Sequence, residues 1–323
     1  MARSRILSVN REASKIIRKI CESPEKYNVL VERGPLGAQI IDAGVNAGGG
    51  YLVGKLIAEI CLGGLGETYL STINIGGLEM PSITVYTDHP AISTLGSQMA
   101  GWRIKAGDYT AIGSGPARAI ALKPRSIYER IGYRDEASEA ILVLEASERP
   151  PEDAVRAIAE ACHVSPERVS IIITPTSSIA GLTQISGRVV EAGMYKLVEL
   201  GFEPRAVLYA WGCAPIPPPH PDTVECMGRS NDAILYGGVA HYIVRHDDDN
   251  YLKSIACEAV SSASKDYGKP FSEIFREAGQ DFYKVDPKIF APASITITNE
   301  KTGKTFTAGK INVEVLLRSM GLI

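Results

Sequence analysis

Arg188 and Glu191 stand three residues apart in the run Ile185-Ser186-Gly187-Arg188-Val189-Val190-Glu191, downstream of a polar stretch over residues 174–181. On a helix that spacing projects both side chains from one face. The pair is badly placed for helix stability. The arginine faces the positive end of the helix dipole, and Arg-before-Glu is the weaker order for a surface ion pair. These costs are only tenths to about 1 kcal/mol, so a solvated surface pair and a functional pair both stand as readings of these residues alone.

Three other groupings offer chemistry. Residues 113–118 read Gly113-Ser114-Gly115-Pro116-Ala117-Arg118. Glycines let backbone N–H groups converge and Arg118 supplies a cation, which are the parts of an anion site. No Gly-Lys-Ser/Thr follows, so this is not a P-loop, and Pro116 with no third glycine excludes a dinucleotide fingerprint. A plain structural turn fits the same residues. Asp88-His89 offers half of a nucleophilic triad, but no G-x-S-x-G elbow exists and Pro90 indicates a constrained turn. A loop histidine tied to nearby backbone is the expected outcome. Cys213, His220 and Cys226 match no zinc spacing, and no metal site is expected.

The elements that must position these groups follow from periodicity. Apolar residues Ala13, Ile16, Ile17 and Ile20 predict a helix over residues 10–21 with Asn10 as its cap. Short strands are expected at 28–32, 38–42, 81–86 and 109–112, with a glycine-dense stretch over 44–66 marking turns or close backbone approach. From residue 138 the pattern alternates: strand 140–144, helix 151–162, strand 169–174, helix 187–200 with Val190, Met194 and Leu197 as its buried stripe. Residues 211–221 hold five prolines and read as a rigid loop. Residues 233–245 read as a long strand with a bulge at Gly237-Gly238, residues 246–250 as an acidic turn, and 294–298 with 305–308 as a hairpin. The fold class is therefore α/β (mixed α+β), as two α/β-type domains with the active-site pocket in the cleft between them. Residues 1–130 are assigned to an N-terminal domain, onto which about 266–323 pack back. Residues 131–265 are assigned to a second domain carrying the Arg188/Glu191 helix.

At 323 residues the chain is long enough for one large or two ordinary domains. Its 34 basic and 37 acidic residues leave a formal charge of −3, which removes the charge argument for a nucleic-acid or anionic-membrane partner. No apolar run is long enough for a membrane span, and charges interrupt every apolar stretch of the first twenty residues. Six scattered cysteines without a C-x-x-C pair suit free thiols in a reducing compartment, so a cytoplasmic protein is expected.

Taken together, the motifs have a further reading. Ser8-Val9-Asn10, Thr87-Asp88-His89-Pro90-Ala91, the 113–119 segment, Leu122-Lys123-Pro124, the run from Ile185 to Glu191, Asn231-Asp232, Asp266-Tyr267-Gly268-Lys269-Pro270-Phe271, Asp281-Phe282-Tyr283-Lys284-Val285-Asp286-Pro287, Phe290-Ala291-Pro292-Ala293 and Thr302-Gly303-Lys304-Thr305 occur in order along the chain. In these the sequence resembles the methenyltetrahydromethanopterin cyclohydrolases. The resemblance implies an archaeal-type one-carbon enzyme. Such an enzyme interconverts 5,10-methenyl-tetrahydromethanopterin plus water with the 5-formyl derivative and a proton. It further implies a homotrimer, a small-molecule pterin substrate held between two domains, no metal and no bound cofactor. By the same resemblance Arg188 and Glu191 are the catalytic pair, with Glu191 as general base on the attacking water and Arg188 holding the water and lowering the Glu191 pKa. Gln98-Met99-Ala100 corresponds to a further part of the active site, where relatives often carry lysine at the position of Met99. Gly113, Ser114, Gly115 and Arg118 are candidates for binding an anionic part of the substrate. A cyclohydrolase for a tetrahydrofolate-type pterin and a non-catalytic pterin-binding protein are the alternatives. Loss of Arg188 or Glu191 would have marked the latter, and both are present.

Overall fold

The computed structural model describes residues 7–281 and 284–323. Phe282 and Tyr283 of the Asp281-to-Pro287 motif lie outside them. The strands are β1 (Leu30–Arg33), β2 (Gln39–Asp42), β3 (Gly66–Ile75), β4 (Leu78–Thr87), β5 (Trp102–Ala106), β6 (Tyr109–Ser114), β7 (Ala140–Glu145), β8 (Val169–Ile173), β9 (Val207–Pro215), β10 (Val239–Val244), β11 (Ser294–Asn299) and β12 (Thr305–Gly309). They form two six-stranded mixed sheets, in the orders β1-β2-β8-β7-β6-β5 and β12-β11-β10-β9-β4-β3. Each sheet takes strands from both sides of residue 130, so strand pairing does not divide the chain where the sequence pattern changes. The terminal strands β11 and β12 extend the second sheet from β10.

In the first sheet β2, β8 and β7 run parallel. Their residues are apolar almost without break, because helices cover both faces. Helices Val9–Cys21 and Tyr51–Cys61 pack Ile17, Ile20, Leu56 and Ile57 against Ile41, Val143 and Ile172. Helix Glu152–Cys162 packs Val155 and Ile158 against Ile40, Leu142 and Ile171 from the other side. The second sheet alternates instead. Ala240, Tyr242 and Val244 of β10 face helices Val189–Glu199 and Asp249–Glu258, while Tyr86, Tyr209 and Trp211 lie exposed on the opposite face.

Several expectations are corrected. The first helix is capped by Ser8, whose hydroxyl accepts the Arg11 N–H. Asn10 is inside and fully buried, donating to Pro116 O and Asp135 while its Oδ1 accepts the Ile141 N–H. Residues 233–235 are not strand but the end of helix Thr223–Leu235, capped by Asp222, and Gly237-Gly238 make the turn into β10. A run such as Ala233-Ile234-Leu235-Tyr236 has no period of its own, so the helix cap upstream decides it. The proline-dense loop is shorter than expected because β9 continues through Pro215.

Between the sheets lies a buried π-helix, Ala91–Gln98. Its wide i→i+5 turn is closed by Met99 N–H to Thr94 O at 2.8 Å, and the carbonyls that follow are met by side chains from elsewhere. Arg118 Nη1 donates to Leu95 O (3.2 Å) and Ser97 O (3.0 Å), Arg118 Nε donates to Lys123 O (2.8 Å), and Tyr128 Oη donates to Gly96 O (2.8 Å). Arg118 is 0% exposed. Arg118→Met keeps most of the volume but leaves Leu95 O buried and unpaired and takes a charged donor from Ser97 O and Lys123 O. It is expected to cost about 2–5 kcal/mol of stability, read as a lower urea midpoint at constant m.

Candidate active site

The polar run after β8 becomes helix Ile179–Ser186, started by Ser178, whose hydroxyl accepts the Gly181 N–H. The helix expected over 187–200 is present as Val189–Glu199, with Arg188 in the cap position (φ −91°, ψ 6°); the helix Ile179–Ser186 before it stands where a polar turn is expected, and the chain kinks at Gly187 between the two. Gln98 Nε2 donates to Gly187 O at 3.0 Å, holding that junction against the end of the π-helix. The new helix also sits tightly on β10. Tyr242 Oη donates to Val190 O at 2.8 Å, and a Cβ on Gly193 would lie 2.1 Å from that oxygen, so only glycine permits the approach.

Arg188 is not a solvated surface residue; it is 9% exposed. Its Nη1 donates to Gln98 O (2.7 Å), its Nη2 to Ser114 Oγ (2.9 Å) and its Nε to Gln184 Oε1 (3.2 Å). The buried thiol of Cys61 lies 4.0 Å from Nη2. Four elements therefore fix one guanidinium, with no carboxylate among its partners in the described residues.

Glu191 is half-buried, and among the described residues its carboxylate has no hydrogen bond and no ion pair. Burial pushes its carboxyl above the usual carboxylate range, while the charges of Arg188 and Arg118 act in the opposite sense. Arg188 thus lowers the Glu191 pKa as expected, but desolvation outweighs it and the net direction is up. Both side chains line a cavity of about 470 Å³, with Met99, Ala100, Ile112 and Ile185 as apolar walls and Glu145, Thr176, Tyr195, Ser230 and Asn231 as polar ones. The cavity stands at the carboxyl ends of the parallel strands β7 and β8, the ordinary place for a ligand in such sheets. A second hollow of about 310 Å³ shares Glu145, Thr176 and Met227 with it and extends the cleft.

Of the residues singled out in the sequence, Arg188, Glu191, Met99 and Ala100 meet at this cavity. Gln98 lies fully buried behind it. Gly113 and Ser114 are strand residues of β6, and Ser114 serves Arg188. Gly115 (φ +103°) donates its N–H to Ser97 O at 2.8 Å. Most of the donors that the 113–118 segment offered for an anion are thus used inside the protein, where Gly115 and Arg118 Nε and Nη1 hold the π-helix and its surroundings, while Arg118 Nη2 is buried without a hydrogen-bond partner among the described residues. Asp88 and His89 are exposed and border a wider, shallower hollow of about 850 Å³ beside Tyr69 and Tyr86, which contains neither catalytic candidate. His220 Nδ1 accepts the Asp222 N–H, and Cys226 Sγ donates to Thr176 O.

Glu145, Thr176 and Asn231 were not named as site residues from the sequence, although Thr176 lies in the polar stretch over 174–181 and Asn231 in one of the resemblance motifs. The signal was available for the first two, because each follows directly on an apolar run that reads as a buried parallel strand.

Comparison with known proteins gives a consistent picture. The family described as cyclohydrolase (MCH) matches residues 8–320. A protein named methenyltetrahydromethanopterin cyclohydrolase from Methanothermobacter marburgensis is 48% identical over 322 residues, covering 98% of this chain and 100% of its own length. Proteins of the same name from Methanocaldococcus jannaschii and Methanococcoides burtonii are 47% and 45% identical, each over 98% of this chain and 99% of its own length.

Proposed function

Because the chain belongs to the methenyltetrahydromethanopterin cyclohydrolase family, we propose that Glu191 is the base that takes a proton from the attacking water and Arg188 the group that positions it. The enzyme is a hydrolase of archaeal-type one-carbon metabolism. It opens a cyclic amidine carbon–nitrogen bond, converting 5,10-methenyl-tetrahydromethanopterin and water to the 5-formyl derivative and a proton, and the reverse.

The observation that carries the mechanism is a carboxylate without a partner, facing a cavity beside an arginine whose geometry is already fixed. The methenyl carbon lies in a cationic amidinium and is electrophilic as bound. Water attacks it, a C–O bond forms, and the water's proton passes to Glu191. The neutral tetrahedral adduct then breaks its C–N10 bond, with N10 receiving that proton from Glu191. As the carbonyl forms, the adduct's hydroxyl proton leaves to solvent, which accounts for the one proton released. A base with a raised pKa suits both halves, since it accepts a proton readily and returns it readily. Burial of Arg188 among carbonyls and hydroxyls fixes its free face before substrate arrives, so little reorganisation is needed. Met99, Ala100, Ile112 and Ile185 supply apolar walls for a flat ring, while Gln98, Gly113, Ser114, Gly115 and Arg118 act from behind by holding the wall in place.

The test is a stopped assay without added metal on the methenyl derivatives of tetrahydromethanopterin and tetrahydrofolate. Loss of near-ultraviolet absorbance with the first alone is expected, because hydrolysis destroys the conjugated amidinium and binding does not. Turnover of the folate derivative alone would reassign the carrier, and binding without turnover would make this a pterin-binding protein. Assembly as a cytoplasmic homotrimer belongs to the same reading and rests on the family resemblance; light scattering should return about three times the 34.7 kDa chain mass. No described helix is long and apolar enough to cross a membrane.

A further inference from the structure

Glu145 is the second carboxylate of the catalytic cavity, and the mechanism does not use it. It ends β7, stands where the cavity of Glu191 meets the second hollow, and is only half-buried. Thr176, at the end of the neighbouring parallel strand's continuation, donates its hydroxyl to Glu145 Oε1. Among the described residues no cation pairs with Glu145, and Arg188 is the one cation on the cavity wall. The two carboxylates thus differ in kind. Glu191 is unanchored, as a group that must alternate between accepting and giving a proton requires. Glu145 is aimed by Thr176, which uses one of its four lone-pair positions and leaves the rest for a ligand.

A carboxylate fixed in this way selects a ligand edge bearing two parallel N–H donors. The amidinium of the substrate has none, because both of its nitrogens are substituted. The pterin ring has one such edge, formed by the 2-amino group and N3–H. We propose, on the cyclohydrolase reading, that Glu145 binds that donor edge and is the residue by which the enzyme recognises a 2-aminopterin, leaving the amidinium for Glu191 and Arg188. Thr176 is its positioning residue.

The experiment compares wild type with Glu145→Gln on the methenyl substrate. KM should rise about 10- to 100-fold, as expected for losing a charged hydrogen-bonded contact, with kcat within about threefold. An unchanged KM overturns the proposal. A second readout separates recognition from structural damage: competitive inhibition by a tetrahydropterin and by its 2-oxo counterpart, tetrahydrolumazine. Wild type should prefer the 2-amino form by about tenfold or more, and Glu145→Gln, whose amide can donate to a 2-oxo group, should erase or invert that preference. A preference equal to that of wild type also overturns the proposal. If Glu145→Gln does not fold, Glu145→Asp keeps the charge but shortens its reach and should raise KM in the same direction; a soluble Glu145→Asp with wild-type KM is a refutation. Wild-type protein that hydrolyses nothing would sink the cyclohydrolase reading itself, whereas normal wild-type turnover with an unaffected Glu145→Gln sinks only the role of Glu145.

Discussion

Glu191→Gln should lower kcat by about 10²- to 10⁴-fold, the usual contribution of a positioned general base, while KM stays within a few-fold of wild type. The amide is isosteric with the carboxyl, and Glu191 makes no hydrogen bond or ion pair among the described residues. The substitution therefore strands no protein partner and should leave folding intact. What it removes is the ability to accept a proton, at a position where the substrate's positive charge and the water must meet. Single-turnover hydrolysis followed in the near ultraviolet reads this directly, and a rate near that of wild type would remove Glu191 from the chemistry.

Arg188→Ala should be worse for the protein and informative about its neighbour. Three acceptors, Gln98 O, Ser114 Oγ and Gln184 Oε1, lose a charged donor. All three residues are buried, so a loss of about 2–5 kcal/mol in stability is expected. The pH profile carries the mechanistic content. Glu191 works as a base only when ionised, so activity is lost as pH falls through its pKa. Burial already holds that pKa high against the opposing charges of Arg188 and Arg118. With Arg188 gone only Arg118 opposes burial, the pKa rises further, and the acidic limb of kcat must move to higher pH. Arg188→Lys keeps a charge but cannot make the three directed contacts, so its kcat should fall while its acidic limb stays closer to that of wild type. A limb that does not move in Arg188→Ala would restrict Arg188 to holding the water.

The sequence drew attention to the proposed catalytic pair for reasons that have little to do with what holds it in place. Spacing put Arg188 and Glu191 on one helical face, and the misfit with the helix dipole hinted that stability was not their purpose. The start of a helix near residue 187 was legible; the separate helix Ile179–Ser186 before it was not, because the Pro, Thr and Ser residues leading into it read as a polar turn, and neither was the sharp junction at Gly187. That junction is imposed from outside by Gln98 and by the demand of Arg188 for acceptors on β6 and the π-helix. Arg118 misled for the opposite reason. Beside two glycines and a proline it reads as an anion ligand, and only three-dimensional proximity to residues 95–97 gives its charge a different task. Strands such as β7 and β8, apolar throughout, were readable from local sequence. Which strands share a sheet was not, because pairing across more than a hundred residues leaves no local trace.

The π-helix bears on how the enzyme comes into being on the ribosome. Residues 91–98 emerge first, yet the carbonyl groups at the end of that turn are received by Arg118, Tyr128 and Arg188, the last of these ninety residues downstream. Until those side chains have left the exit tunnel, the floor of the pocket has exposed polar backbone and no reason to close. The wall of the pocket that the π-helix forms is therefore complete only once residue 188 has been made, so the order of synthesis places its assembly late.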